Sequence, residues 1–268
     1  MKQFLKKYTP SFIKTVFIKL KRIRHFFKYD LLNFKLFICG VYFTHFVKTY
    51  RSNGVNIKIP FDLTDYKFRG RFVLNKYESE ESILISKYLN KNSTVLELGS
   101  CLGYISCITN NILANKTNHV VLEANPNLIN SIEENKSLNN CKFHLENKII
   151  SKNKSNIFYI HNRIVGGSIV RSTNSKISIE GVGMDYLEKK YSLVFDTLIM
   201  DIEGGELDFF RNHKNEILKF KNVFFEIHPF CDILTVDEAK ECENILQNLG
   251  FELVDKIGFF LFWKNKNL

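Results

Sequence analysis

The chain has no C-x-x-C pair, no Gly-Lys-Ser/Thr phosphate loop, no complete G-x-G-x-x-G fingerprint, no internal repeat and no sustained heptad. Its six cysteines, at 39, 101, 107, 141, 231 and 242, show no zinc-like spacing to histidine. Scattered thiols of this kind suit a reducing cytosol, where they behave as small buried apolar groups. No run of roughly 18 clean apolar residues exists, because Leu31 to Val47 is interrupted by Asn33, Lys35, Gly40 and His45. Nine basic residues precede position 29 and no small-residue cleavage site follows, so no signal peptide is expected. Acid is nearly absent from residues 1–51, which hold 12 Lys and Arg against Asp30 alone. The other residues hold 26 basic and 27 acidic side chains, so the net charge of +10 belongs to the N-terminal arm. A body that is close to neutral argues against nucleic acid as a partner.

What is present centres on Thr94-Val-Leu-Glu-Leu-Gly-Ser-Cys-Leu-Gly-Tyr-Ile-Ser106. Thr94 to Leu98 has the β-branched, apolar character of a buried parallel strand. Gly99 and Gly103 bracket a three-residue loop, and Tyr104, Ile105, Ile108, Ile112 and Leu113 then recur at helical spacing. A glycine directly after a strand lets the backbone turn and lets a ligand lie against it. The helix N-terminus beyond offers free N–H groups. Glu97 puts an anion beside this crevice, which disfavours a phosphate ligand. A cationic ligand would use it, and that contrast favours S-adenosylmethionine (AdoMet) over a dinucleotide. The bland alternative is a plain strand–helix turn with two helpful glycines.

At 268 residues and 45% apolar content the chain suits one large domain with an extension. We divide it into a basic amphipathic helical extension, residues 1–50, and a main domain, residues 51–268, carrying a strand-rich insertion at 151–183. Thr9-Pro10 reads as a helix start, followed by Ile13, Val16, Phe17, Leu20, Ile23 and Phe27 at helical spacing among lysines and arginines. Such a helix reads as a membrane-surface element, with peripheral contact through residues 10–30, or as a helix packed on the body. Ser52-Asn53-Gly54 is a turn before a strand from Val55 to Ile59, and Phe72-Val-Leu74 is read as its partner.

A helix is expected over about 80–89. His119 to Glu123 reads as a second buried strand, Asn125-Pro126 as a helix start, and Lys142 to Leu145 as a third strand with Glu146-Asn147 at its end. Glu123 lies 20 residues after Gly103, the distance at which an acid accepts hydrogen bonds from ribose hydroxyls. Ile157 to Ile160, Gly166-Gly167-Ser168, Ile169-Val170 and Ile177 to Ile179 suggest a hairpin-like insertion. A fourth core strand runs from Asp196 to Ile202, and Gly204-Gly205-Glu206 then opens a helix. A fifth, Asn222 to Ile227, ends at His228-Pro229; a helix over 236–249 follows. The last two strands, from Phe251 and from Gly258, have no helix between them, as expected of a mostly parallel sheet with one antiparallel strand inserted.

Val95 to Ser106, Val121-Leu-Glu-Ala-Asn-Pro126 and Ile199-Met-Asp-Ile-Glu-Gly-Gly-Glu-Leu207 together resemble the FkbM family of AdoMet-dependent methyltransferases. Tyr77-Glu78 and Phe225-Glu226 look like that family too. The resemblance covers roughly residues 75–230. It implies an α/β, Rossmann-like class I methyltransferase: a mostly parallel seven-stranded sheet with one antiparallel strand, helices on both faces, and here an N-terminal helical extension. It also implies O-methylation, often of a sugar or polyketide hydroxyl. The family commonly has Ala-Asn where this chain has Ser100-Cys101.

On this reading Glu97, Gly99, Gly103, Glu123 and Asn147 hold the cofactor, joined by Glu78, Ser100, Tyr104, Asn125 and Asp201 in or beside the matching motifs. Asp201, Glu203 and His228 are the catalytic candidates, at the strand ends where open α/β sheets bind ligands. Glu206 is a further candidate or a first-turn acid complementing the helix dipole. His228 has the ordinary pKa of a base, although a histidine before proline is more often a structural hydrogen-bonder. No metal is assigned; a divalent ion held by Asp201, Glu203, Glu226 and His228 is the second reading. The expected acceptor is a saccharide or lipid-linked glycan in the cytoplasm, at the inner face of a membrane. An inactive, membrane-associated scaffold of the same fold is the alternative.

Overall fold

The computed structural model describes residues 30–160, 167, 173–229 and 233–268. The helix read at 10–28, and Gly166, Ser168, Ile169 and Val170 of the insertion, lie outside the described residues. The chain divides into two compact units. One holds the described part of 1–48 together with 65–76; the other holds 49–64 and 77–268.

In the first unit, residues 30–42 form helix α1, which continues as a π-helical turn over Phe43–Val47 and stops at Lys48, where φ is 62°. Helix α2, Tyr66–Val73, starts at Asp65, whose carboxylate accepts from Phe68 N at 2.7 Å. Two glycines set the helix contact: a Cβ on Gly40 would lie 1.7 Å from Tyr66 O, and one on Gly70 2.0 Å from Leu36 O. Phe43 and Phe72 close the crossing, both buried. No helix among the described residues is long and apolar enough to cross a membrane.

The second unit opens with a hairpin of β1 (Thr49–Ser52) and β2 (Val55–Lys58). This corrects the expected pairing, because Phe72 and Val73 belong to α2 and not to a strand. Asn53 and Gly54 both have positive φ, 48° and 76°. That mirror-image turn matches strand twist and joins Val55 to the residues immediately before it. The outer backbone of β2 is met by side-chain amides: Asn135 Oδ1 accepts from Lys58 N and Asn139 Oδ1 from Asn56 N, both at 2.8 Å.

The elements that follow are α3 (Ser79–Tyr88), β3 (Val95–Leu98), α4 (Tyr104–Ile112), β4 (His119–Leu122), α5 (Pro126–Leu138), β5 (His144–Glu146), β6 (Ile149–Ile150), β7 (Ser155–Ile160), β8 (Ser175–Val182) and α6 (Met184–Tyr191). Then come β9 (Thr197–Met200), α7 (Glu206–Asn212), α8 (Lys214–Ile217), β10 (Asn222–Glu226), α9 (Val236–Asn248), β11 (Phe251–Ile257) and β12 (Phe260–Asn265). Seven strands form one sheet in the order β11-β12-β10-β9-β3-β4-β5. Only β12 runs against its neighbours. The insertion is a separate sheet in which β8 lies between β6 and β7.

Every residue of β3, β4 and β9 is buried, as strands covered on both faces require. Leu96, Leu98, Val120, Leu122, Leu198, Met200, Val223 and Phe225 face one layer, packing with residues of α6, α7 and α9. The alternate side chains face the other layer, where Glu97 meets Ser106 of α4, and Phe224 and Phe262 stack beneath Tyr88 of α3. Helices thus cover both faces, and the parallel strands deliver their carboxyl ends to one edge.

Candidate active site

At that edge Gly99 and Gly103 adopt φ of 81° and 77°. Gly99 N donates to Leu122 O at 2.9 Å, and a Cβ there would lie 1.8 Å from Asp201 O. Only glycine permits both the turn and this approach of β9. The loop is held by an acid from the neighbouring strand. Glu123 Oε2 accepts from Ser100 N at 3.1 Å and Cys101 N at 3.0 Å, while Oε1 accepts from Asn125 N at 2.7 Å. Burial pushes the Glu123 carboxyl up, and the three amides pull it partly back. Ser100 is buried, and its Oγ has no hydrogen-bond partner among the described residues. Asn125 caps α5, accepting from Asn127 N at 3.1 Å, with Pro126 in the first turn.

Asn147 is half-buried and donates to Glu123 O at 2.8 Å and Ala124 O at 3.2 Å, tying the ends of β4 and β5 together. Strand β5 ends one residue later than expected, so Glu146 is its last residue; its carboxylate accepts from Lys190 and Tyr191 of α6. Burial alone would raise the Glu146 pKa, but those two donors leave it lowered. A lowered carboxyl stabilises the fold above its unfolded pKa, and that stability is lost as pH falls through the folded value. Lys190→Ala should therefore cost about 1 kcal/mol at pH 7, after discounting for the lysine's exposure, with the gap to wild type closing in thermal melts as pH falls through the folded value.

Glu97 and Tyr104 sit beneath the crevice. Glu97 is fully buried; its oxygens accept from Ser106 Oγ and, at 3.0 Å, from His119 Nε2. Tyr104 is buried against Tyr50 and Tyr77, and its hydroxyl accepts from Asn53 Nδ2 at 3.0 Å. Both organise the support under the loop.

Beside the loop, β9 and β10 deliver a second group. Asp201 follows β9, Glu203 and Gly204 turn the chain with φ of 50° and 101°, and Glu206 opens α7. Glu226 ends β10 and His228 lies two residues on. His228 Nε2 lies 3.5 Å from Glu226 Oε2, 3.7 Å from Asp201 Oδ1 and 3.8 Å from Glu203 Oε2. Its Nδ1 lies 3.3 Å from Glu206 Oε1. Burial disfavours the imidazolium, but the Glu206 bond and the Asp201 and Glu226 charges outweigh it and raise His228 to about 10. Burial likewise raises Asp201, and with the Asp201 charge it raises Glu226 to about 10.

Glu78 adopts φ of 43° at the start of α3, and burial holds its carboxyl well above the ordinary range. Glu81 was missed by the motif reading: it is buried one turn along α3 beside Glu226 and is pushed up to about 7 by burial. Its signal in sequence is the i, i+3 spacing from Glu78, which puts both acids on one helix side. Asp201, Glu203, Glu206, Glu226 and His228 thus converge, and the glycine loop with Glu123 and Asn147 lies along the same sheet edge.

Residues 97–253 match the family model described as the methyltransferase FkbM domain. No curated protein matches the chain. Among solved structures, a protein of the NADB-Rossmann superfamily from Streptococcus agalactiae is similar at 16% identity, over 70% of this chain and 68% of that one, with a TM-score of 0.44. The O-methyltransferase from Bacillus cereus in complex with SAH is similar at 12% identity, over 69% and 78%, with a TM-score of 0.43. The precorrin-6y C5,15-methyltransferase from Geobacter metallireducens is similar at 12% identity, over 71% and 90%, with a TM-score of 0.42.

Proposed function

The chain belongs to the FkbM methyltransferase family, and from that premise we propose that it is an AdoMet-dependent O-methyltransferase acting on a hydroxyl of a sugar or glycan. The observation that carries the reading is the meeting of two groups at one sheet edge: the Gly99–Gly103 loop anchored by Glu123, and the cluster of Asp201, Glu203 and His228. The residues fit the cofactor. Ser100 Oγ is a buried hydroxyl with no partner among the described residues, and the crevice is rich in carboxylates that suit a cation. When bound, AdoMet supplies a methyl group on a sulfonium, which needs no further activation.

Glu123 accepts the ribose hydroxyls, and Asn147 borders the adenine side. Gly99 and Gly103 let the backbone approach the ligand, with Ser100 and Asn125 beside it. Glu78 and Asp201 face the amino acid part of the cofactor. Glu97 and Tyr104 act as positioning residues below. Asp201 and Glu203 would orient the acceptor hydroxyl and receive its proton as the hydroxyl oxygen takes up the methyl group. His228 fixes these carboxylates.

A crevice lined by so many acids suits a neutral polyol and repels a phosphate backbone, which supports a saccharide and not a nucleic acid as acceptor. The exposed stripe of Leu31, Phe34, Ile38, Tyr42 and Phe46 on the α1 segment, with the basic arm, supports a cytoplasmic enzyme resting on the inner membrane face, where lipid-linked glycans are built.

The test begins with calorimetric titration by AdoMet and its demethylated product; micromolar binding of both is expected. Sugars are then screened in a cell-free assay with labelled donor. Asp201→Ala should lower transfer about a hundredfold, the loss typical of removing a proton acceptor. Transfer at the wild-type rate would remove the strand-end assignment.

A further inference from the structure

Phe195 and Phe220 each lie just before a strand, β9 and β10, so both sit at the amino ends of the parallel strands, away from the edge that carries the acids. They line a cavity of about 830 Å³, within the roughly 300–1,000 Å³ that small-molecule sites occupy. Its other walls come from the loop between β6 and β7, the end of β8, the first turn of α6 and the corner between α7 and α8. None of the active-site residues named above lines it.

The polar lining is mixed in charge. Lys152, Lys154 and Lys219 bring cations. Glu180, Asp185, Glu188 and Glu216 bring anions. That near balance favours neither a phosphate nor an ammonium ligand. It suits a neutral molecule with many hydroxyls, because an ammonium donates to a hydroxyl oxygen and a carboxylate accepts from a hydroxyl hydrogen. Tyr186 of α6 adds an aromatic surface: it is 43% exposed, even with Lys190 Nζ 5.9 Å from its ring centre. Phe195 and Phe220 add buried apolar surface. The C–H face of a sugar ring packs on surfaces of this kind.

His213 is a buried polar group that opens onto the same space. It is only 6% exposed, yet it lines the cavity. Its ring packs on Phe209 with centres 5.1 Å apart. Glu216 Oε1 lies 3.7 Å from Nδ1, longer than a hydrogen bond, and no described residue comes closer as an acceptor or donor to the ring. Burial lowers the His213 pKa, so at neutral pH the ring offers one N–H donor and one lone pair. A buried imidazole in this state gains from a ligand hydroxyl that satisfies it.

We propose that this cavity is a saccharide-binding site, separate from the candidate active site, which takes a short neutral oligosaccharide. His213 hydrogen-bonds a ring hydroxyl, Tyr186 packs on a sugar face, and Lys219 and Glu216 hold flanking hydroxyls. The lining carries this assignment without the catalytic reading. Only the consequence rests on the proposed function: a glycan held here keeps the enzyme on a chain whose reacting hydroxyl is elsewhere, raising its effective concentration.

The experiment is saturation-transfer NMR on the full-length chain with maltotriose, cellotriose and chitotriose, and with glycerol 2-phosphate as the anionic comparison. At least one trisaccharide should bind with a Kd of about 1 mM, more tightly than glycerol 2-phosphate. Tyr186→Ala and Lys219→Ala, at exposed positions, should each weaken it about fivefold, and His213→Phe about tenfold. Asp201→Ala, at the other edge, should leave it unchanged. Thermal melts check folding, and the two exposed variants carry the test if His213→Phe does not fold.

No trisaccharide bound at about 10 mM, or binding unmoved by Tyr186→Ala and Lys219→Ala, overturns the site. Loss in Asp201→Ala alone overturns it too, because the sugar then sits at the active site. Preference for glycerol 2-phosphate overturns the saccharide assignment in favour of an anion. AdoMet binding alongside absent sugar binding rejects this site and leaves the proposed function standing. Sugar bound here by a chain that binds no AdoMet supports the site and counts against that function.

Discussion

Glu123→Ala should weaken AdoMet binding about a thousandfold in calorimetric titration. The side chain is proposed to accept two hydrogen bonds from ribose, and charge-assisted bonds of this kind contribute about 2 kcal/mol each. The same carboxylate also accepts from Ser100 N, Cys101 N and Asn125 N. Its removal therefore loosens the loop that the ligand lies against, adding an ordering cost at binding. Glu123→Gln keeps the shape and one acceptor, and should lose less. A Kd for the alanine variant within threefold of wild type, in a folded sample, would show that the ribose end is held elsewhere.

Glu97→Ala should act on stability. Glu97 is fully buried between α4 and β4, accepting from Ser106 and His119. His119 Nδ1 faces Asn110 Nδ2 at 3.5 Å, which leaves Nε2 as the donor to Glu97. Removing the acid leaves a buried imidazole N–H and a buried hydroxyl without their acceptor, and opens a cavity in the support of the glycine loop. The expected cost is about 4 kcal/mol in urea unfolding. The affinity of the remaining folded protein for AdoMet should change by less than tenfold. A loss of affinity as deep as that of Glu123→Ala, with stability unchanged, would instead make Glu97 a ligand contact.

These two acids explain how much of the site could be read in advance. Both follow β-branched and apolar runs, and both look like acids at a strand end. The pairing Glu97 to Val121 keeps Glu97 inside β3, one residue short of its end. Strand alternation then aims it at α4. Glu123 lies just past Leu122, at the level of Gly99, where the chain has left the sheet and the carboxylate can turn toward the loop. A one-residue difference in where a strand stops decides which acid turns toward the glycine loop, and that boundary is set by pairing with neighbours.

The same limit appears at Phe72 and Val73, whose strand-like character was overridden by the Asp65 cap and the glycine contacts of α1 and α2. Helix α6 was not foreseen, because its apolar residues are few and its place is set by packing Met184 and Leu187 into the core.

By itself the sequence determined what depends on neighbours along the chain. That covers the buried strands, the helices at 3.6-residue spacing, the glycine turn after β3, the turn at Asn53-Gly54 though not the strand it pairs, and the final strand pair with no helix between. These follow from backbone sterics and local burial. Only the tertiary structure decided the rest: that Glu78, Glu81, Asp201, Glu203, Glu206, Glu226 and His228, spread over 150 residues, meet at one sheet edge, and that Glu97 does not join them. The physical reason is that a parallel sheet carries the ends of distant strands to a common edge. Which side chains converge there depends on strand order and register, and long-range pairing alone sets both.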